Sequence, residues 1–197
     1  MNIAGIGPGH PKYLTEEVKE AIKEADYIIA FNRVAKSLDN LRSDIKVIKK
    51  VEDIGTAIKL REDVLILASG DPNFYGITEY LKEKAIKIDR IMPGLSSFQY
   101  MMTKLQKSWH KAKFISLHGR DAGLEEVKDC LLSILLTDNK NPPSIISQRL
   151  KSMGLKGTIY VGYNLSYDDE RIIKGEIGDR FDDFSTLAVM VVENEMD

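Results

Sequence analysis

Short apolar runs alternate with amphipathic stretches along the chain. Residues 1–6 form a first apolar run, long enough for a buried strand and too short for a helix. Leu14, Val18, Ala21, Ile22 and Ala25 then recur at helical spacing. Ahead of them, Thr15 with Glu16 and Glu17 supplies a hydroxyl cap and first-turn carboxylates, although Val18 in place of Glu or Gln makes the capping box incomplete. Residues 27–31 read as a second strand, 45–51 as a third extended segment and 52–60 as a short helix. A strand over 63–67 leads into a helical pattern over 77–84, and 86–91 is again strand-like. Phe98, Met101, Met102 and Leu105 mark one face of a further helix. The alternation predicts an α/β fold.

The polar stretch 106–113 reads as a hinge dividing the chain into domains 1–108 and 112–197, with the single tryptophan, Trp109, packing at the junction. Beyond it, 114–121 is a strand ending in a His-Gly-Arg turn. Residues 124–136 read as a helix that runs into the apolar end of a strand near 135–138. A loop carries Pro142 and Pro143, a short helix covers 144–151, and 158–165, 170–177 and 186–192 are strand-like. That makes the second half strand-rich, with adjacent strands expected antiparallel.

Composition narrows the function. Apolar residues make up 43% and charged residues 29% of the 197, ordinary proportions for a globular chain. No apolar run approaches the ~18 residues of a membrane span, and no basic-then-apolar leader opens the chain. One cysteine, Cys130, excludes an internal disulfide and suggests a reducing, cytoplasmic setting; it reads as a buried, inert thiol. His10, His110 and His118 lack metal-ligand spacing, so no metal site is expected. A net charge of −2 argues against general nucleic-acid binding.

Three glycine- or proline-rich turns follow apolar strands, the place where α/β sheets usually bind ligands. Gly5-Ile6-Gly7-Pro8-Gly9 invites a dinucleotide-binding reading that fails three ways. His10 stands where the third glycine belongs, Pro8 and Pro11 oppose a helix start, and Asp26 precedes the next apolar run instead of ending it. Ala68-Ser69-Gly70-Asp71-Pro72-Asn73-Phe74-Tyr75-Gly76 is the second turn, stiffened by Pro72. Met92-Pro93-Gly94-Leu95-Ser96-Ser97 is the third. Its hydroxyls either cap the following helix or meet a ligand's carboxylate or ribose.

The order of these turns, followed by Ser-Leu-His-Gly-Arg at 116–120 and Gly-Tyr-Asn-Leu-Ser-Tyr-Asp-Asp-Glu-Arg-Ile at 162–172, resembles the tetrapyrrole methylase family from end to end. Within the family, 69–76 and 116–120 are most similar to the branch that methylates C5 of the corrin ring during cobalamin biosynthesis. The resemblance implies two α/β domains with an active site in the cleft between them, S-adenosylmethionine as methyl donor, and a homodimer. It implies cofactor contacts at Pro8, Gly70, Asp71, Phe74, Ser96 and Ser97, with apolar walls from Leu136 and Ala188. The substrate would be an anionic corrinoid. A separate enzyme that methylates C15 and decarboxylates a side chain is a candidate partner, because the chain ends at Asp197 without room for that domain.

The residue types suit such chemistry. Asp71 either balances the cofactor's cationic groups or braces its own turn; Phe74 supplies an apolar wall, and Ser96 and Ser97 supply hydrogen bonds. Arg33, Lys36 and Arg120 are the candidate carboxylate binders, with Arg120 favoured because a guanidinium engages a carboxylate at two points. His118 is a candidate for assisting proton transfer. An electron-rich ring carbon is already nucleophilic, so no dedicated nucleophile or indispensable base is expected. The rivals are methylation of another ring carbon, of a modified histidine on an elongation factor or of ribosomal RNA, and a non-catalytic S-adenosylmethionine-binding module. A stripe of basic and aromatic residues suited to RNA is missing.

Overall fold

The computed structural model describes residues 1–61, 63–117 and 123–195. The chain divides into two compact units, Met1–Ser97 and Phe98–Asp197.

In the first unit β1 (Asn2–Gly5), β2 (Ile28–Phe31), β3 (Lys46–Ile48), β4 (Leu65–Ala68) and β5 (Arg90–Met92) form a parallel sheet in the order β3-β2-β4-β1-β5. Successive side chains on a strand point to opposite faces, so each central strand must feed two cores. Ala4, Ile28, Ala30, Leu65 and Leu67 pack on one face with Val18 and Ile22 of α1 (Glu16–Glu24) and Val34 of α2 (Asn32–Ser37). Ile3, Ile29 and Ile66 pack on the other with Ile54 and Ala57 of α3 (Asp53–Leu60) and Leu81 of α4 (Ile77–Glu83). Thr15 caps α1 as expected, accepting from Val18 N–H at 3.2 Å.

Two elements here depart from expectation. The short helix α2 follows β2 without a connecting loop, where no helix was assigned. The strand expected over 86–91 begins only at Arg90, because the preceding residues close α4. Ala85 takes φ +53°, its N–H bonds Lys82 O, and Ile86 N–H reaches back to Leu81 O at 2.9 Å. That is a Schellman closure with alanine in the left-handed position.

In the second unit β6 (Lys113–Ser116), β7 (Leu132–Leu136), β8 (Gly157–Tyr163), β9 (Arg171–Glu176) and β10 (Ala188–Asn194) are ordered β6-β7-β10-β8-β9. Only the β6–β7 pair is parallel. Leu135, Val161, Tyr163 and Met190 pack on one face with Ile146 and Leu150 of α6 (Pro143–Ser152). The other face receives α5 (Ser97–Leu105) at Gly162, where an added Cβ would lie 2.6 Å from Met101 Sδ.

The expected helix over 124–136 is not formed. A single 3₁₀ turn, Leu124–Val127, precedes β7, whose residues exchange hydrogen bonds with β6 on one side and β10 on the other. A short apolar run fits a buried strand as well as a helix, and the vacant place between two strands decides it. Cys130 lies in this connection and is half-buried. The unit boundary falls ahead of α5, not at the polar stretch 106–113. Phe98 packs edge-to-face on Trp109 and Phe114, with centroids 5.2 and 4.7 Å away, and Lys104 pairs with Glu170 at 3.4 Å.

Candidate active site

β4, β1 and β5 are neighbours in the first sheet, so their carboxyl ends bring the three glycine-bearing turns together. Gly7 and Gly70 pair as an isolated two-residue bridge, Gly70 N–H donating to Gly7 O at 2.8 Å and Gly7 N–H to Gly70 O at 3.3 Å. Beneath them the backbones touch. A Cβ on Gly5 would stand 2.6 Å from both the Gly70 carbonyl oxygen and Gly94 N, and 2.8 Å from Pro72 Cδ. Glycine is required there by space alone.

Asp71 ties the second turn to the third. Its Oδ1 accepts from Asn73 N–H at 2.8 Å, closing an Asx turn, and its Oδ2 accepts from Gly94 N–H at 3.4 Å. Bracing the turn, one of the two roles open to Asp71, is therefore one it performs. Lone pairs remain on both oxygens for a further donor.

The expected positions of the first unit gather around this junction. Pro8 is buried in the first turn. Gly70 has φ +66°, and among the described residues an added Cβ would meet nothing nearer than Ser96 Cα at 3.8 Å, so its backbone is uncovered by them beside the third turn. Ser96 is buried, and Ser97 begins α5. Phe74 is half-buried and meets Tyr75 edge-to-face at 4.9 Å.

Arg33 and Lys36 are both exposed on α2, beyond the end of β2. Arg33 reaches the second turn, its guanidinium donating to Ser69 Oγ at 3.4 Å. Lys36 instead lines a separate hollow of about 220 Å³ with Asn32, Asp39 and Arg42. His118 and Arg120 lie outside the described residues.

In the second unit Leu136 and Ala188 meet where β7 ends and β10 begins. Leu136 is opposite Val189, and Thr137 Oγ1 donates to Ala188 O at 3.0 Å. A feature absent from the sequence reading holds the approach to this corner. Asp183 accepts from Ser144 N–H at 3.2 Å, from the Ser144 hydroxyl, and from the Tyr163 hydroxyl at 3.0 Å. Burial, reinforced by that bond to Asp183, holds the Tyr163 phenol well above its ordinary pKa, so it stays a protonated donor. Beside Asp183, residues including Thr137, Pro142 and Thr186 enclose a hollow of about 230 Å³. Among the described residues no His, Cys, Asp and Glu cluster is suited to a metal, and no helix is long and apolar enough to cross a membrane.

Residues 2–179 match the family model of the tetrapyrrole (corrin/porphyrin) methylases, and the chain belongs to that family. It is 30% identical to the probable cobalt-precorrin-7 C(5)-methyltransferase of Methanocaldococcus jannaschii, covering 98% of this chain and 97% of that protein. It is 28% identical to the cobalt-precorrin-7 C(5)-methyltransferase of Salmonella typhimurium, with 98% of each covered. Among solved structures, the precorrin-6Y methylase of Archaeoglobus fulgidus superposes with a TM-score of 0.78 at 24% identity, over 100% of this chain and 98% of that one. The uroporphyrin-III C-methyltransferase of Thermus thermophilus, solved with S-adenosylhomocysteine, also gives 0.78 at 18% identity, over 97% and 95%. At those identities the structural likeness concerns the fold.

Proposed function

We propose that this protein transfers a methyl group from S-adenosylmethionine to C5 of cobalt-precorrin-7 in cobalamin biosynthesis. One observation carries the reading: the match to enzymes named for that reaction runs over 98% of the chain. A relative named for another ring carbon, the cobalt-precorrin-4 C(11)-methyltransferase of Methanocaldococcus jannaschii, matches at 26% over 90% of this chain and 78% of its own.

The junction of the three turns fits the cofactor. The open side of Gly70 lets a ligand approach the backbone, where a side chain would intervene. When bound, S-adenosylmethionine supplies an electrophilic methyl group on a sulfonium centre. Pro8 and Phe74 form apolar walls, Ser96 and Ser97 donate hydrogen bonds, and Asp71 holds the second and third turns in register. Arg33, carried to the second turn by its contact with Ser69, binds a substrate carboxylate. Lys36 is a second carboxylate binder, from the neighbouring hollow.

No side chain needs to act as nucleophile. Methyl transfer is an in-line displacement by a ring carbon that is already electron-rich, so the protein's task is alignment and exclusion of water. Alignment alone supplies ~7–11 kcal/mol of a barrier. The reading extends to a homodimer working in the cytoplasm. Calorimetric titration with S-adenosylhomocysteine, with NAD as control, tests the cofactor. Micromolar binding of the first and none of the second is expected, followed by gain of one methyl group on cobalt-precorrin-7 in a turnover assay. Absence of S-adenosylhomocysteine binding would overturn the proposal.

A further inference from the structure

Tyr75, in the second turn, has φ +49°. That is the left-handed region, which a bulky side chain rarely occupies and which turns usually give to glycine or asparagine. Bonds on either side hold the turn. Asn73 N–H is held by Asp71 Oδ1, Phe74 N–H donates to Asp71 O at 3.2 Å, and Thr78 N–H donates to Pro72 O at 3.3 Å. Gly76, the next residue, lies too close to the Pro72 carbonyl to carry a Cβ. Strain held in place by its surroundings at the edge of a ligand site points to a use for the strained residue.

Packing alone does not account for it, since Tyr75 is 38% exposed. The turn instead sets its ring edge-to-face on Phe74, with centroids 4.9 Å apart and planes at 69°. Phe74, three residues after Asp71, is half-buried, and Tyr75 is the more exposed of the two.

We propose that Tyr75 is a platform for the substrate macrocycle, held by the left-handed turn so that its ring meets the tetrapyrrole beside the transferable methyl group. The inference rests on the function proposed above. In-line transfer places the reacting carbon ~3–3.5 Å from the methyl group, so the macrocycle must lie against the outward side of the cofactor's walls. A flat conjugated ring offers its face to an aromatic side chain in offset or edge-on geometry, with little rotamer freedom to lose. Asparagine or glycine at 75 would relieve the backbone and leave that side without a wall.

The test compares wild type with Tyr75→Gly and Tyr75→Phe. Corrinoid affinity is read from the visible absorbance of cobalt-precorrin-7, cofactor affinity from calorimetry with S-adenosylhomocysteine, and stability from the thermal midpoint. Tyr75→Gly is expected to weaken corrinoid binding about tenfold or more, the loss equivalent to one good aromatic stack. S-adenosylhomocysteine binding stays at the wild-type level and the midpoint holds or rises, because glycine relieves the strain. Tyr75→Phe, which keeps the ring, restores the lost corrinoid affinity. Unchanged corrinoid binding in Tyr75→Gly would overturn the platform while leaving the function standing. Equal losses for corrinoid and S-adenosylhomocysteine would also overturn it, making Tyr75 a brace for the cofactor turn. A wild type that binds no corrinoid would remove the function and the platform together.

Discussion

Replacing Gly5 with alanine probes the junction of the three turns with a single methyl group. The added carbon would stand 2.6 Å from the Gly70 carbonyl oxygen, 2.6 Å from Gly94 N and 2.8 Å from Pro72 Cδ. Ordinary contacts between carbon atoms fall at ~3.5–4.0 Å. Two of the three obstacles are backbone atoms of different turns, so no rotamer change relieves the clash, and the turns must retreat by roughly 1 Å. Overpacking of this kind costs about 1–3 kcal/mol. The retreat also threatens the Gly7–Gly70 bridge, at about 1 kcal/mol for each hydrogen bond. The expected destabilisation is therefore about 2–5 kcal/mol, read from urea unfolding followed by circular dichroism. Misplacing a binding group by ~1 Å costs up to about a hundredfold, so S-adenosylhomocysteine affinity should fall about tenfold to a hundredfold by calorimetry. A variant that unfolds more easily yet binds S-adenosylhomocysteine as wild type would refute the reasoning: the junction would then be scaffold and not cradle.

Gly55 supplies the contrasting case, since it lies inside α3 with nothing within 4 Å of an added Cβ; Gly55→Ala should stabilise by about 0.5–1 kcal/mol, and a loss in urea unfolding would contradict that. Asp71→Ala removes the acceptor for two backbone N–H groups and should cost about 1–2 kcal/mol together with S-adenosylhomocysteine affinity, whereas unchanged calorimetry would show the tie between the turns to be dispensable. Glu170 is mostly buried, which by itself would raise its pKa, but the Tyr100 hydroxyl, the Ser166 N–H and Lys104 outweigh burial and hold it below the ordinary value. A carboxylate lowered on folding contributes its full stability above the unfolded glutamate value of ~4.3 and loses it as pH falls through the folded value. Glu170→Gln should cost about 1–2 kcal/mol at pH 7 and flatten the acid limb of stability against pH below about 4.5, and an unaltered acid limb would refute that assignment.

The elements most legible in the sequence are those whose local signals agree. Thr15 with two following glutamates marks α1 to the residue, and the apolar runs of β1 and β4 end where turn residues begin. Residues 132–136 read as the end of a helix that gives way to a strand near 135, because an apolar run of that length fits either structure, and only pairing with β6 and β10 makes all of it a strand. β5 starts late for a local reason that composition hides, the alanine at 85 standing where a glycine would have announced the end of α4. The same division holds at the site. The turns that carry Gly70, Asp71, Phe74, Ser96 and Ser97 could be picked out because they follow strands in a recognisable order. Neither the bracing by Asp71 nor the strain at Tyr75 could be, since both depend on where a distant or neighbouring backbone happens to lie.

Residue order by itself determined that this is an α/β chain of the tetrapyrrole methylase type, with glycine- or proline-rich turns after its first, fourth and fifth strands, because strand, turn and helix signals are local and the turns keep a family-specific order. Tertiary structure alone decided that Gly5, Gly70 and Gly94 share one point in space and that the second and third turns are tied through a single carboxylate. It also decided that the central strands feed two cores at once. Those facts arise from the order in which parallel strands assemble, β4-β1-β5, and no stretch of sequence states which strand will lie beside which.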